Sequence, residues 1–135
     1  MKIEDETVKA LATALNFRQM RQELISSNIA NAETPGYKAK KIDFEQALGE
    51  AIDVEGTNSL NTSDSRHFAV GGGGFDSLQP TIYEDLTSNL SPDGNTVDRD
   101  GEMAELAENR ILYDASVQLL NKKIGLLKYA IGSDH

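Results

Sequence analysis

Residues 98–131 read DRDGEMAELAENRILYDASVQLLNKKIGLLKYAI, a stretch in which large apolar side chains recur at alternating steps of three and four. This spacing is typical of a heptad seam and predicts a long helix from about Asp98 to Ile131. Asp98 should cap the helix, with Asp100 and Glu102 in its first turn. Because burying a large apolar side chain contributes about 1.5–3 kcal/mol, such a stripe needs a partner surface. Arg110 interrupts the predicted seam, which consists of Met103, Leu106, Tyr113, Val117, Leu120, Ile124, Leu127 and Ile131.

A second helical pattern occupies the N-terminal end of the chain, from about Asp5 to Asn31. Its apolar residues follow the same alternation of three and four, and Arg18 and Gln22 fill the two seam positions between them. The simplest arrangement pairs the two terminal helices with each other through their seams. The seam of this first helix consists of Val8, Leu11, Leu15, Ile25, Ile29 and Ala32.

The arginines in the two seams, Arg18 and Arg110, have two interpretations. Their stems could lie along apolar neighbours while the guanidinium groups reach solvent. Alternatively, they could set the register of the helices or meet carboxylates on another subunit. The sequence leaves both interpretations open.

The first helix should end at a turn formed by Thr34–Tyr37. Pro35 suits the second position of a type II turn, and Gly36 accepts the positive φ that the third position requires. A short helical pattern then runs from Phe44 to Ile52. Between the turn and this pattern lies a small basic patch, formed by Lys38, Lys40 and Lys41.

The middle of the chain, from about residue 54 to residue 97, shows no lasting periodicity. Gly71–Gly74 is predicted to be a flexible run. Phe68–Val70 and Thr81–Tyr83 are the two plausible strands, and Ser91–Asn95 has strong turn chemistry.

The sequence therefore predicts a mainly α fold in one structural domain. Residues 1–37 form the N-terminal helix and turn, and residues 98–135 form the C-terminal helix. The terminal helices are expected to pair as a coiled-coil-like hairpin. Residues 38–97 form a small irregular middle segment with one short helix and little β structure.

Composition narrows the classes of function. The chain has 135 residues and a formal net charge of −9, which disfavours binding to nucleic acids and to anionic membranes. It contains no cysteine, so disulfide scaffolds and Cys-ligated zinc are excluded. No apolar run is long enough to predict a membrane span. The acidic N-terminus has no apolar region, so no cleavable secretory signal is expected.

The candidate chemical motifs do not point to catalysis. Gly71–Gly74 lacks the ending and the strand–turn–helix context of a phosphate-binding loop. His67 and His135 have no carboxylates at ligand spacing, so no metal site or cofactor is predicted. We expect no enzyme. Three serines lack both a nearby base and a nucleophile-elbow pattern: Ser26, Ser27 and Ser116.

One stretch has an order of residues that a generic helix end does not need. Residues 27–37 read SNIANAETPGY, and this string resembles the N-terminal signature of the bacterial flagellar axial proteins, the rod, hook and hook-associated families. The rest resembles a proximal rod protein in particular. The further matching segments are Ala14–Gln22, Lys38–Leu48, Asp64–Phe68, Asp93–Asp98 and Glu102–Ala104, with Asn109 and Tyr113.

The resemblance implies a structural subunit of the flagellar basal-body rod. Such a subunit polymerises through its terminal helices into the axial shaft that transmits torque across the periplasm. The implied partners are other rod proteins, further copies in a helical assembly, and ring or rod-adaptor proteins at the base. The resemblance also implies export by the flagellar type III apparatus without a cleavable signal, and no nucleic acid or membrane insertion.

The seams and the signature together give the residues expected to contact other subunits, and Pro35, Gly36 and Tyr37 are expected to form the turn. Two other functions compete with the rod. One is a soluble α-helical adaptor or export chaperone that binds partner helices, and the other is an enzyme that acts on cell-wall glycan. The expected subunit contacts are Leu11, Leu15, Arg18, Ile25, Asn28, Ile29, Asn31, Met103, Leu106, Arg110, Tyr113, Val117, Leu120, Ile124 and Leu127.

Overall fold

A computed structural model describes residues 2–56, 75, 78–86 and 91–132 of the chain. The mainly helical class and the two long terminal helices are confirmed. In the described part of the chain, no helix is both long and apolar enough to cross a membrane. The elements in order are α1 (Lys2–Ala30), β1 (Ala39–Asp43), α2 (Glu45–Gly56), β2 (Thr81–Asp85) and α3 (Arg99–Gly132). The predictions for Phe68–Val70, Gly71–Gly74 and His67 lie outside the described residues.

The two terminal helices pack against each other as an antiparallel pair. Asn28, near the end of α1, donates to the Glu102 carboxylate in the first turn of α3, at 3.1 Å. Earlier in α1, the Arg18 carbonyl accepts from Asn109, further along α3, at 2.9 Å. The two contacts run in opposite sequence directions, so the predicted hairpin of terminal helices is confirmed.

The inward edge of α3 differs from the predicted seam near its N-terminus. Leu106 and Tyr113 are half-buried as expected, but Met103 is 50% exposed and Arg110 is also exposed. The seam prediction is therefore wrong at Met103, and also at Ile131, which is 62% exposed at the other end of α3. Arg110 interrupts the seam as the sequence indicated. Glu102 and Asn109, which precede Met103 and Arg110, are the buried residues at this end of α3. Glu102 and Asn109 lie on the side of the apolar stripe opposite to Met103 and Arg110. Helix α3 turns this polar side toward α1 because both side chains find hydrogen-bond partners there.

A second face of α1 is buried, which the seam analysis missed. Phe17 packs against Ile42 at the end of β1 and Phe44 at the start of α2. The Phe17 and Phe44 rings are tilted by 49°, with centroids 5.4 Å apart, a geometry that aromatic pairs favour. Helix α1 thus lies between α3 on one side and the β1–α2 segment on the other. Partly buried apolar residues complete this small core: Met20, Leu24, Leu48 and Leu78.

The two strands form an antiparallel sheet in which Ala39 pairs with Asp85 and Ile42 pairs with Ile82. Strand β2 confirms the expectation for Thr81–Tyr83, and α2 confirms the short helical pattern. Strand β1 was not predicted. Its buried residues, Ala39 and Ile42, are three positions apart, so the alternation that identifies a half-buried strand is missing.

The turn after α1 is confirmed. The Tyr37 amide donates to the Thr34 carbonyl at 3.2 Å, and Gly36 has a φ of 74°. A second turn contains Gly94, which also has a positive φ, of 84°. The Gly36 amide donates to the Asp93 carbonyl at 2.9 Å, so the two turns are joined directly.

The positive φ of Gly36 leads to a stability prediction. Gly36→Ala should lower the free energy of unfolding by about 1–2 kcal/mol, because a Cβ is strained in the left-handed region. Nothing lies within 4 Å of the added Cβ, so crowding contributes little. Urea unfolding followed by circular dichroism measures the loss.

Gly49→Ala is the matched control for Gly36→Ala. Its Cβ also meets nothing within 4 Å, but Gly49 lies in α2 and has no positive φ. This substitution should stabilise the chain by up to about 1 kcal/mol. Equal effects of the two substitutions would show that Gly36 does not need its left-handed conformation.

Candidate functional site

Polar side chains are buried where the signature stretch meets the start of α3. Water is excluded there, so each of these groups needs a hydrogen-bond partner within the protein. We call this cluster the polar junction. It consists of the buried residues Asn28, Asn95, Thr96 and Glu102, together with Asn31, which is half-buried beside them.

Asn28 is the centre of the polar junction and is fully buried. Its Nδ2 donates to the Lys40 carbonyl at 2.8 Å, and its Oδ1 accepts from the Lys40 amide at 2.9 Å. These are the two hydrogen bonds that a neighbouring strand would make, so a side chain of α1 satisfies the free edge of β1. Nδ2 also donates to Glu102 at 3.1 Å. One amide group thus holds α1, β1 and α3 together.

The buried carboxylate of Glu102 is paired with a positive charge, the ammonium group of Lys41. Its Oε1 lies 2.5 Å from Nζ of Lys41, and Lys41 also reaches Glu105 at 3.3 Å. Burial acts to lower the pKa of Lys41, but the hydrogen bond and charge of Glu102, together with Glu105, outweigh it. The pKa of Lys41 is therefore raised above its ordinary value of 10.5, and the lysine remains protonated at neutral pH.

Asn95 joins the second turn to the end of α1. Its Nδ2 donates to the carbonyls of Asn31 and Thr34, at 2.9 Å and 2.8 Å. Its Oδ1 accepts from the Val97 amide at 2.8 Å. Asn31 in turn donates through its side chain to the Ser27 carbonyl at 2.8 Å. Each of these carbonyls also accepts from a backbone amide, so the asparagine side chains add a second hydrogen bond to carbonyls at and just after the end of α1.

Thr96 ties the same segment to the sheet. Its Oγ accepts from the Ala39 amide at 2.9 Å and donates to the Asp85 carbonyl at 2.7 Å. Its own amide donates to the Tyr37 carbonyl at 3.1 Å. The chain therefore enters α3 from a position fixed on both strands and on the turn after α1.

Asp98 caps α3 as predicted. Its Oδ1 accepts from the Gly101 amide at 3.3 Å, and its carbonyl accepts from the Glu102 amide at 2.8 Å. The first turn of α3 is therefore anchored immediately before the residue that enters the polar junction.

Arg18 lies beside a cleft between α1, α3 and the sheet. Its guanidinium carbon is 5.5 Å from the centroid of Phe44. Nε and Nη1 are buried and have no hydrogen-bond partner among the described residues. Burial, followed by the charge of Arg21, lowers the pKa of Arg18. Nε and Nη1 of Arg18 therefore do not reach solvent, contrary to the first interpretation, whereas Arg110 is exposed as that interpretation expects.

The residues expected to contact other subunits mostly lie along the α1–α3 contact of one chain. Ile25 and Asn28 are buried, Met103 and Arg110 are exposed, and the other eleven are half-buried. Contact with a second subunit stays a prediction for all of them.

Sequence reasoning missed several residues of the site. The sequence places Glu102 in the acidic first turn of the helix and in a matching segment, and Asn109 in the resemblance, but assigns neither to a contact with α1. Glu102 and Asn109 are seven residues apart, and each directly precedes a position of the predicted stripe. This spacing could have shown that they lie on the same side of the helix, next to the stripe. The missed residues are Phe17, Lys41, Asn95, Thr96, Glu102 and Asn109.

The role of Asn28 predicts a large loss of stability in Asn28→Ala. The substitution leaves the Lys40 amide and carbonyl without partners, so the free energy of unfolding should fall by about 2–4 kcal/mol. Asn16→Ala is the matched control, because Asn16 is an exposed asparagine on the same helix. Urea unfolding measures both. Losses of similar size would contradict the role given to Asn28.

The raised pKa of Lys41 predicts a pH dependence. A cation with a raised folded-state pKa adds stability that is complete below the unfolded pKa and is lost as pH rises through the folded value. The free energy of unfolding should therefore fall as pH rises past 10.5. The double variant Lys41→Met, Glu102→Gln should lose this part of the fall, whereas Lys9→Met, at an exposed lysine, should keep it. Identical pH profiles for the parent and the double variant would contradict the assignment.

Comparison with known proteins points to one family. The model of a family described as "Flagella basal body rod protein" matches residues 9–38, which cover most of α1 and the following turn. The flagellar basal body rod protein FlgB of Cereibacter sphaeroides is 45% identical over 120 residues, 89% of each chain.

Two further relatives come from other bacteria. FlgB of Aeromonas hydrophila is 44% identical over 116 residues, 85% of each chain. FlgB of Bacillus subtilis is 36% identical over 135 residues, 95% of each chain. These similarities extend well beyond the signature to α3 and to the segment that leads into it. The chain therefore belongs to the FlgB family of flagellar basal body rod proteins.

Proposed function

We propose that this chain joins the flagellar basal-body rod by packing the outer face of its helix pair against neighbouring subunits. Its family makes it a structural subunit of the rod and a component of the basal body. The mode of assembly, the neighbours it contacts and the route by which it reaches the rod are the proposed part.

The apolar surface that α3 leaves uncovered carries the proposal. Ile111 is 68% exposed and Tyr129 is 78% exposed, and Leu119, Leu126 and Ile131 are also largely open. Several large apolar side chains left exposed along one helix indicate an interaction site. A helix that already uses one face for α1 and still exposes this much apolar surface is suited to a lateral contact with another helix.

The polar junction supports a mechanical role. Asn28, Asn95 and Thr96 connect α1, both strands and the start of α3 through short hydrogen bonds. Sliding one helix past the other would break several of these bonds together. A shaft subunit that transmits torque must resist that sliding, and a buried, fully partnered network provides such resistance.

The proposed partners of the chain are other rod proteins, proteins at the base of the rod and the export apparatus. Assembly with other rod proteins follows from the family, and contacts with ring or adaptor proteins at the base extend it. Passage through the flagellar type III export apparatus to a periplasmic rod belongs to the same proposal. The adaptor or chaperone function is not favoured, since the relatives are rod proteins, and the same relatives indicate a structural role rather than a glycan-cleaving one.

The proposal is tested in a strain that lacks its own copy of this protein. The parent chain should restore swimming and should be present in purified basal bodies. The double variant Ile111→Ser, Tyr129→Ser should fold normally but fail to enter basal bodies, because the exposed side chains contribute to contacts between subunits and not to the fold.

Leu86→Ser is the matched control, since Leu86 is exposed beside β2 and away from α3. It should enter basal bodies like the parent chain. Normal incorporation of the α3 variant, or restored swimming with the parent chain absent from basal bodies, would contradict the proposal.

A further inference from the structure

Helix α3 is divided by charge into two unlike halves. Residues 98–114 contain six carboxylates and two arginines, whereas residues 115–132 contain three lysines and no carboxylate. The whole chain carries a net charge of −9. The basic half is therefore an exception on an acidic protein, and it coincides with the part of α3 that exposes most apolar surface.

The exposed leucines of α3 form a second stripe. Leu112, Leu119 and Leu126 recur every seven residues, and each immediately precedes a residue of the α1-facing seam. Their exposed fractions are 38%, 57% and 56%. A step of seven returns to nearly the same side of a helix, so the three side chains lie in one row about a quarter-turn from the seam. We call this row the outer stripe.

The outer stripe is only partly covered by its own chain. At its first residue, Leu112 lines the cleft with Arg21, Lys41 and Tyr83, so the sheet lies over this side of the helix pair. Leu119 and Leu126 extend beyond that cleft and are more exposed. Among the described residues, the sheet therefore partly covers the outer stripe at Leu112 but leaves Leu119 and Leu126 exposed.

We propose that the basic half of α3, through the outer stripe, docks on the acidic half of α3 of a second copy of this chain. The acidic half offers a matching surface. Met103 and Ile111 are exposed apolar side chains there, and Glu108 and Asp114 are exposed carboxylates. Leucines would pack on these apolar side chains. Lys122, which is exposed, and Lys123, which is half-buried, flank the leucine row and would meet the carboxylates.

The contact is head-to-tail, because one copy uses its basic half and the other uses its acidic half. Two unlike surfaces on each copy make a heterologous contact, which continues to add subunits unless it closes into a ring. The place of this contact in the rod rests on the proposed function, but the contact itself is a property of the purified chain.

Charge favours a second copy over the other surfaces that a basic apolar stripe could contact. An anionic membrane or a nucleic acid would attract the three lysines but would repel the remainder of the molecule, with its net charge of −9. A copy docked head-to-tail places lysines against carboxylates, and it covers apolar side chains on both partners.

Sedimentation equilibrium of the full chain tests the proposal over a range of concentrations. The parent chain should self-associate, and the association constant should fall roughly tenfold from about 0.05 M to about 0.5 M salt as the charges are screened. The double variant Leu119→Gln, Leu126→Gln should weaken association by at least about tenfold, the scale of a central apolar contact. Ile82→Gln with Leu86→Gln removes equally exposed apolar groups from the sheet and should change nothing.

A charge exchange identifies the two surfaces. One variant carries Lys122→Glu and Lys123→Glu, and the other carries Glu108→Lys and Asp114→Lys. Each variant alone should lose self-association, because like charges then face each other. An equimolar mixture should associate again, with the two chains alternating, since each reversed half now meets its complement.

Several results would overturn the proposal. These are unchanged association of the leucine variant, stronger association at high salt, or no recovery in the mixture. A parent chain that stays monomeric but binds phosphatidylserine vesicles through the same leucines would overturn it in favour of a membrane contact. A parent chain that stays monomeric but still enters basal bodies and restores swimming would overturn this contact alone and leave the proposed function standing.

Discussion

The rest of the structure depends on the side chain of Asn28. Its amide satisfies both backbone groups of Lys40 and also reaches the buried carboxylate of Glu102. No apolar side chain could take this place, because two backbone groups of β1 and one carboxylate would lose their partner. The end of α1, the edge of β1 and the first turn of α3 meet at one point because this single group has a donor and an acceptor to offer.

Two buried polar side chains of α3, Glu102 in the polar junction and Asn109 seven residues later, also determine which side of α3 faces outward. An apolar pattern alone would allow the helix to turn Met103 and Arg110 toward α1, since the main seam is shared by both orientations. Glu102 and Asn109 make hydrogen bonds only in the observed orientation. Burying polar groups therefore selects one rotation, and that rotation leaves Met103 and Ile111 exposed. The surface proposed for assembly is thus a consequence of a network on the opposite side of the helix.

Much of the fold could be predicted from local signals. The long helices followed from their spacing of three and four, and Gly36 followed from the need for positive φ. Strand β1 could not be predicted, because its hydrogen-bond partners, Asn28 and β2, are distant in sequence and its two buried residues do not alternate. The contact of Phe17 with Phe44 was missed for a similar reason, since a narrow seam does not show that a helix has a second covered face.

A double-mutant cycle between Asn28 and Glu102 tests most directly whether the polar junction acts as one network. Free energies of unfolding in urea are needed for the parent chain, Asn28→Ala, Glu102→Leu and the double variant. If the polar junction acts as one unit, the two losses should fall short of additivity by about 1–3 kcal/mol, the range for residues in one buried network. Losses that add within about 0.5 kcal/mol would show that the two side chains act independently, and would contradict a single network that sets the orientation of α3.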